Sequence, residues 1–443
     1  MTCRNCERLE ARLAGLLREN TSLKAEVQQL RSRLEAYENP HTPPSQQRYP
    51  TRQPRNPNTP RYPGPPRGHR GRTRAQPEPD LVKAPPRKER CAHCGSRLGK
   101  PSYVDHHIVE EIGNPHPRQV IDFLEFTWNC NRCRTYTVSR HPDCPPDGRF
   151  GKNLLVQTTL MRFEERLPLR RIEETLQQQY DLTVTPATVL ALTRRVDDWL
   201  RPEYDRILNR IRHVRVVYVD ETGWKVDGQQ QWLWVFATPT MTLIVIRRSR
   251  GKKVLKETLG PNFQGVIVCD GWKSYVNYTN RIQRCWAHLL REAEYLAERV
   301  EEAKPLSEAL HNLYRQLTTP PKDRPPPIKE SIRLMRTAKR RMLRLATKPY
   351  SNPQVRRFAG KIRNGIDHWF TFLTNPYVEP TNNRAERALR EHVVQRKIIG
   401  THRNLNGTKT HETIMTLLAT WKQQGLNPAK ELAETLSKQW QNS

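Results

Sequence analysis

The chain has 443 residues, and 76 Lys and Arg against 45 Asp and Glu leave it a formal net charge of +31, which points to a polyanionic partner, nucleic acid first. No run of about 18 apolar residues occurs, which excludes a helical membrane span, and the charged opening MTCRNCERLEARL is not that of a secretory signal. The length allows two or three domains, and an apolar content of only 35% places part of the chain outside any core.

The first unit is residues 1–38. Leu9, Leu16, Leu23, Leu30 and Tyr37 recur every seven residues, with Leu13, Asn20, Val27 and Leu34 on a second seam. One polar Asn in such a seam predicts a parallel two-stranded coiled coil, hence a homodimer or higher oligomer. Glu19 with Lys24 and Glu26 with Arg31 would pair between helices. The plainer reading is one amphipathic helix packed on its own domain.

Residues 39–90 hold fourteen prolines and almost no aliphatic side chains, which predicts a disordered linker. Eight arginines and no acid fall between Arg48 and Arg74, a bias that suits non-specific phosphate contact as well as solubility.

Residues 91–144 read as a small metal-bound module. Cys91/Cys94 and Cys130/Cys133 are two C-x-x-C knuckles 35 residues apart. Four thiolates so paired suit structural Zn2+, and a strand over Gln119–Trp128 would bring them together. Cys3 and Cys6 form a further pair, read as frayed thiols. With no secretion signal, this cysteine usage fits a reducing cytoplasm.

Residues 151–205 read as helical. Arg171–Tyr180, a short turn, and a helix starting at Thr185-Pro186 make a pattern like a helix-turn-helix, with Thr185 as N-cap. An ordinary helical hairpin reads the same way. From residue 214 the pattern changes to strands: Val214–Val219, Trp232–Ala237 and Thr242–Arg247 predict an antiparallel meander. A helix over Lys252–Leu259 and a fourth strand, Val266–Cys269, follow. Residues 286–345 are mostly helical with a proline break, and helices resume to the end.

Two acids stand where apolar strands end, Asp220 after Val219 and Asp270 after Cys269. On neighbouring strands both would project from one sheet edge, where a divalent cation relieves their repulsion; oxygen ligands point to Mg2+ or Mn2+. Glu386 completes a candidate metal-binding catalytic triad. It lies on a helix capped near Thr381, sharing a face with Asn382, Asn383 and Arg390, groups suited to metal-bound phosphate. The chemistry would be two-metal attack on a phosphodiester. Glu221, Asp227 and Glu379 are competing acids.

Four blocks in order, Asp220-Glu-Thr222, Cys269-Asp-Gly-Trp-Lys-Ser-Tyr275, Cys285-Trp-Ala-His288 and Asn382-Asn-Arg-Ala-Glu-Arg-Ala-Leu-Arg390, resemble the insertion sequence 66 family of prokaryotic transposases. The resemblance extends to the cysteine module, the N-terminal helix and linker, and a tail from Arg396-Lys397 to Gly425-Leu-Asn-Pro428; it is weakest at about 295–375. It implies an Asp-Asp-Glu triad on Asp220, Asp270 and Glu386 in an RNase H-like catalytic domain at 212–425. A helical insertion at about 295–375 and a helical tail at 426–443 complete a multidomain α+β chain. The implied partner is double-stranded DNA, at the element's terminal inverted repeats and at a target. Asn382, Asn383, Arg387, Arg390, Arg396, Lys397, Lys273 and His288 are the expected DNA contacts. The resemblance also implies a nucleoid-associated protein of the prokaryotic cytoplasm that can act with accessory proteins of its element. Leu289-Leu290 stands where the family is more basic. The competing reading is a catalytically silent, domesticated DNA-binding regulator; a nuclease without strand transfer comes third.

Overall fold

The computed structural model describes residues 143–319 and 327–441, with shorter stretches at 120–141 and within 12–29. The linker 39–90 and Cys3, Cys6, Cys91, Cys94, Cys130 and Cys133 lie outside the described residues, as do Leu9, Leu30, Leu34 and Tyr37 of the heptad seam. Leu13, Leu16, Leu23 and Val27 of that seam are helical and exposed. Within the cysteine module, β1 (Phe126–Asn129) and β2 (Tyr136–Ser139) pair antiparallel. Of the strand expected over Gln119–Trp128, Phe126–Trp128 are in β1, while Val120 and Ile121 are exposed and outside a strand.

Three helices follow: α1 (Lys152–Phe163), α2 (Leu169–Tyr180) and α3 (Pro186–Ile211). Thr185 caps α3 as expected, its hydroxyl accepting the Thr188 N–H at 3.2 Å. α3 is longer than a recognition helix needs. Leu192, Val196, Leu200, Tyr204, Ile207 and Ile211 recur at helical spacing and are buried, so α3 lies against the sheet and shares its core. The helices of 151–205 are therefore built into the larger fold.

That core surrounds a five-stranded sheet of β3 (Val216–Val226), β4 (Gln229–Ala237), β5 (Thr242–Arg247), β6 (Val266–Cys269) and β7 (Ile282–Arg284), in the order β5-β4-β3-β6-β7. The meander β3–β4–β5 is antiparallel, while β6 and β7 add in parallel through crossovers carrying α4 (Lys252–Leu259) and α5 (Lys273–Val276). β3 runs past its expected end at Val219, since β4 pairs along it as far as Val226↔Gln229. Asp227 and Gly228 close this hairpin with φ of 52° and 71°, the left-handed pair that an Asp-Gly turn supplies at least cost.

Among the described residues, the insertion is built of the α-helices α6 (Trp286–Ala297), α7 (Lys304–Thr318), α8 (Ile328–Ala346), α9 (Pro353–Asn364) and α10 (Thr371–Thr374). They enclose a second core around Trp286, Leu310, Met342, Phe358 and Phe370. The chain then returns to the sheet with α11 (Asn383–Ile399), α12 (Leu405–Gln423) and α13 (Pro428–Gln441). α13, expected as a tail, buries Leu432, Leu436 and Trp440 in the sheet's core.

α12 covers the edge of β5 with side chains in place of another strand. Glu412, Thr416 and Thr420 accept the N–H groups of Ile246, Ile244 and Thr242 at 2.6, 3.0 and 3.2 Å. Four helical residues rise about 6 Å and two strand residues about 6.8 Å, so the two ladders keep step. An exposed row of donors that would invite pairing with another chain is thereby closed.

Beneath α11 and α12 lie three imidazoles. His392 Nδ1 is 3.1 Å from His411 Nε2, and the His402 and Trp224 rings pack against His411. Burial pushes His392 and His402 down to about 4, and holds His411 well below the usual imidazole range. In the unfolded chain these groups bind protons near pH 6.5. Between pH 6.5 and 4 the unfolded state therefore holds more protons, and the cluster's contribution to stability falls as the pH falls. Thermal unfolding across that window should show wild type losing more stability than His392→Gln; parallel curves would refute the assignment.

Candidate active site

β3 and β6 run side by side in the register Val216↔Val266 to Tyr218↔Val268. Continued by two residues, that register sets Asp220 beside Asp270. Asp220 lies within β3, not beyond its end, because β4 continues the pairing past it as Asp220↔Val235. Asp270 is the first residue after β6, and its Oδ1 accepts the Trp272 N–H at 2.9 Å. Glu386 sits in the first turn of α11.

Asn382, buried at the start of α11, seats that helix. Its Nδ2 donates to Val219 O at 2.9 Å, and its N–H reaches the Cys285 thiol sulfur at 3.1 Å. The neighbouring Trp286 N–H donates to Pro380 O at 3.0 Å. One residue thus ties the carbonyl just before Asp220 to the helix that carries Glu386.

The acids feel one another. Burial raises the Asp220 carboxyl well above its usual range, and Glu221, Asp270 and Glu386 push it further up. Such accumulated negative charge, all on oxygen donors, is what a hard divalent cation neutralises, so the residues present fit one. Glu386 also faces the insertion: its carboxylate lies 3.3 and 3.4 Å from the Arg291 guanidinium and 3.4 Å from His288 Nδ1. Among the described residues, the one trio of His, Cys, Asp or Glu with ligand atoms within 4.8 Å of one another is Cys285, His288 and Glu386. Asp220 and Asp270 stand outside that grouping, while Arg291 on α6 meets the Glu386 carboxylate from the insertion side. Burial pushes the Cys285 thiol up to about 11, against the N–H groups of Asn382, His288 and Ala287 that it accepts.

A fourth acid, a competitor on sequence grounds alone, is held differently. Glu221 is buried, accepts Arg250 Nε at 2.8 Å and takes a short hydrogen bond from the Tyr275 hydroxyl. Burial and then Asp270 raise it to about 7, while Tyr275 and Arg250 pull it down. Arg250 lies over the rings of Trp232 at 4.6 Å and Trp272 at 4.2 Å. Trp272 is 41% exposed, a large indole presented at the rim beside Asp270. Sequence reasoning missed Arg250, Trp272 and Arg291; the signal was a Trp inside the Asp270 block.

The expected DNA contacts divide by exposure. Asn383, Arg387, Arg390, Lys397 and Lys273 are exposed. Asn382 is corrected to an interior position: at 0% exposure, with its amide on Val219 O, it braces the helix and does not share a face with Asn383 and Arg390. It, not Thr381, is the N-cap residue of α11. Arg396 is partly buried and donates to Gly223 O.

A model of the family described as "Transposase IS66 family" matches residues 147–410, from the start of α1 into α12. The chain belongs to the IS66 family of transposases. That match spans α1 to α3, the sheet, the insertion and α11, including all three acids. Two similar proteins come from Sinorhizobium fredii, both named uncharacterized. Protein y4qI is 23% identical over 325 residues, 65% of this chain and 59% of the relative. Protein y4jD is 23% identical over 395 residues, 80% of this chain and 75% of the relative. The chain thus spans less than two thirds of the length of y4qI. Membership of a transposase family implies a divalent metal, and no helix among the described residues is long and apolar enough to cross a membrane.

Tyr275→Phe removes one donor from a buried carboxylate. It should lower unfolding free energy by about 1–3 kcal/mol in denaturant titration; no change would mean that the hydroxyl does not support Glu221.

Proposed function

We propose that this IS66 family transposase cleaves and joins DNA strands at Asp220, Asp270 and Glu386, in a sheet of RNase H-like topology. The observation that carries the reading is the parallel register of β3 and β6, which brings two carboxylates to one edge where Glu386 adds to their charge. An antiparallel meander extended by parallel strands supports the RNase H-like assignment. Asp220, Asp270 and Glu386 would hold Mg2+ or Mn2+. When bound, such an ion supplies Lewis-acid stabilisation of the charge that develops on the phosphoryl oxygens.

The chain's own residues do the rest. Asn382 fixes Glu386 relative to Asp220, and Arg291 holds the Glu386 carboxylate at the insertion side. Arg387 and Arg390 extend positive charge from the same helix for the phosphates on either side of the cleaved bond. In hydrolysis a water oxygen attacks phosphorus in line, the bond to the 3′ oxygen breaks, and a 3′ hydroxyl is left. In joining, that hydroxyl attacks a target phosphodiester, one P–O bond forming as another breaks. The DNA partners are the element's terminal repeats and a target duplex, and the heptad helix would pair two copies of the chain. Four thiolates at Cys91, Cys94, Cys130 and Cys133 would hold structural Zn2+.

Purified protein incubated with a labelled duplex of the DNA bordering its reading frame, with Mn2+ or Mg2+, should nick it and join strands. Asp220→Asn and Asp270→Asn should each lower the rate more than about a thousandfold, several kcal/mol of lost stabilisation, with DNA binding kept. Binding without cleavage by wild type would instead favour the silent regulator.

A further inference from the structure

Among the described residues, the insertion carries a long one-signed stretch. Between Ser331 and Ile366 stand eleven Lys and Arg and no Asp or Glu. α8 sorts this charge by face. Ser331, Ala338, Met342 and Ala346 are its buried residues, the last three within the insertion's core. Arg333, Arg336, Arg340 and Arg344 are all exposed and recur at helical spacing. At 3.6 residues per turn they occupy an arc of about 80° opposite the buried residues, as a ridge about 16 Å long.

The neighbouring cations have partners: Lys339 pairs with Asp367 at 2.9 Å, and Arg341 donates to Gln316 at 2.7 Å. The four arginines of the ridge have no ion-pair partner among the described residues. Like charges three or four residues apart repel along a helix, and an exposed helix face that offsets this carries acids among its bases. Here the repulsion is left uncompensated over four positions. The side chain is also arginine each time, whose planar fork matches phosphate oxygens two at a time. A ridge of about 16 Å faces about five phosphates of one DNA strand, at one per 3.4 Å of axis.

We propose that α8 is a rail for the phosphate backbone of duplex DNA, gripping it without reading bases. The inference rests on the strand-transfer reading, since it supplies a surface to hold the duplex. The link to the carboxylates is α6: Trp286, Leu289 and Ala293 are buried in the same core as Met342, while Arg291 of that helix reaches Glu386.

The test is the salt dependence of binding to a random-sequence duplex, read by fluorescence anisotropy, alongside wild-type nicking of the element-border duplex. A fourfold Arg333→Gln, Arg336→Gln, Arg340→Gln, Arg344→Gln variant should keep its helical circular dichroism. The slope of log affinity against log salt should become shallower by about 3–4, near 0.9 for each phosphate no longer neutralised. The same drop should appear on the element-border duplex. Should the fourfold variant unfold, Arg340→Gln with Arg344→Gln should lower the slope by about 2. An unchanged slope in a folded variant, with wild type binding and nicking normally, would overturn the rail alone. A drop confined to the element-border duplex would also overturn it, because the ridge would then be reading sequence. Wild type that neither binds nor nicks DNA would overturn both the rail and the transposase reading.

Discussion

The parallel contact between β3 and β6 is the constraint on which the site depends. A parallel pair advances in step, so one register places every later residue. With Tyr218 opposite Val268, the two acids two positions on come to the same edge. A slip of one residue would turn one carboxylate to the other face of the sheet. The register is protected because Val216, Val217, Tyr218, Ile267 and Val268 are buried on a sheet covered by α3, α11 and α12. The carboxylates have no such protection from one another; the raised Asp220 reflects a cost that the folded core carries at its edge.

The third acid is placed by a different device. Glu386 follows Asp270 by more than a hundred residues, and the whole insertion intervenes. α6 resolves this separation by having two faces. Trp286 donates to Trp369 O at 2.6 Å within the insertion's core, and Cys285, just before it, accepts the Asn382 N–H. His288 and Arg291 then meet Glu386 from the adjacent turn. The insertion is thus anchored to the site by the helix that opens it, and a change in how the insertion packs would be felt first at the Glu386 carboxylate.

The other side of the sheet is closed with unusual polarity for a core. Buried threonines and Glu412 on α12 do for β5 what a sixth strand would do, while Arg247 pairs with Glu412 at 2.7 Å so that the buried acid is not left alone. Hydrogen bonds from side chains fix the position of a helix along a strand more tightly than apolar contact does, because donors and acceptors must coincide. α12 in turn supports His411 and, through it, His392 in the middle of α11.

Much of this was legible in the amino-acid sequence. The strands Thr242–Arg247 and Val266–Cys269, the helix Lys252–Leu259 and the Thr185 cap follow from local pattern and end where expected. The two acids after apolar runs and the family blocks supplied the candidate site, although Asp220 lies within β3 and not at its end. Local pattern also misled where a partner strand decides: β3 continues past Val219 because β4 pairs with it, which no window around Asp220 reveals. Asn382 read as a polar DNA contact because its chemistry is visible and its burial is not. The arginine ridge of α8 escaped notice because its one-signed run becomes a surface only when Met342 and its neighbours fix which face is inside. Sequence by itself determined most of the elements, the charge and the family resemblance; the tertiary structure decided that Asp220 and Asp270 stand in one parallel register and what holds Glu386, because those depend on contacts between segments far apart in the chain.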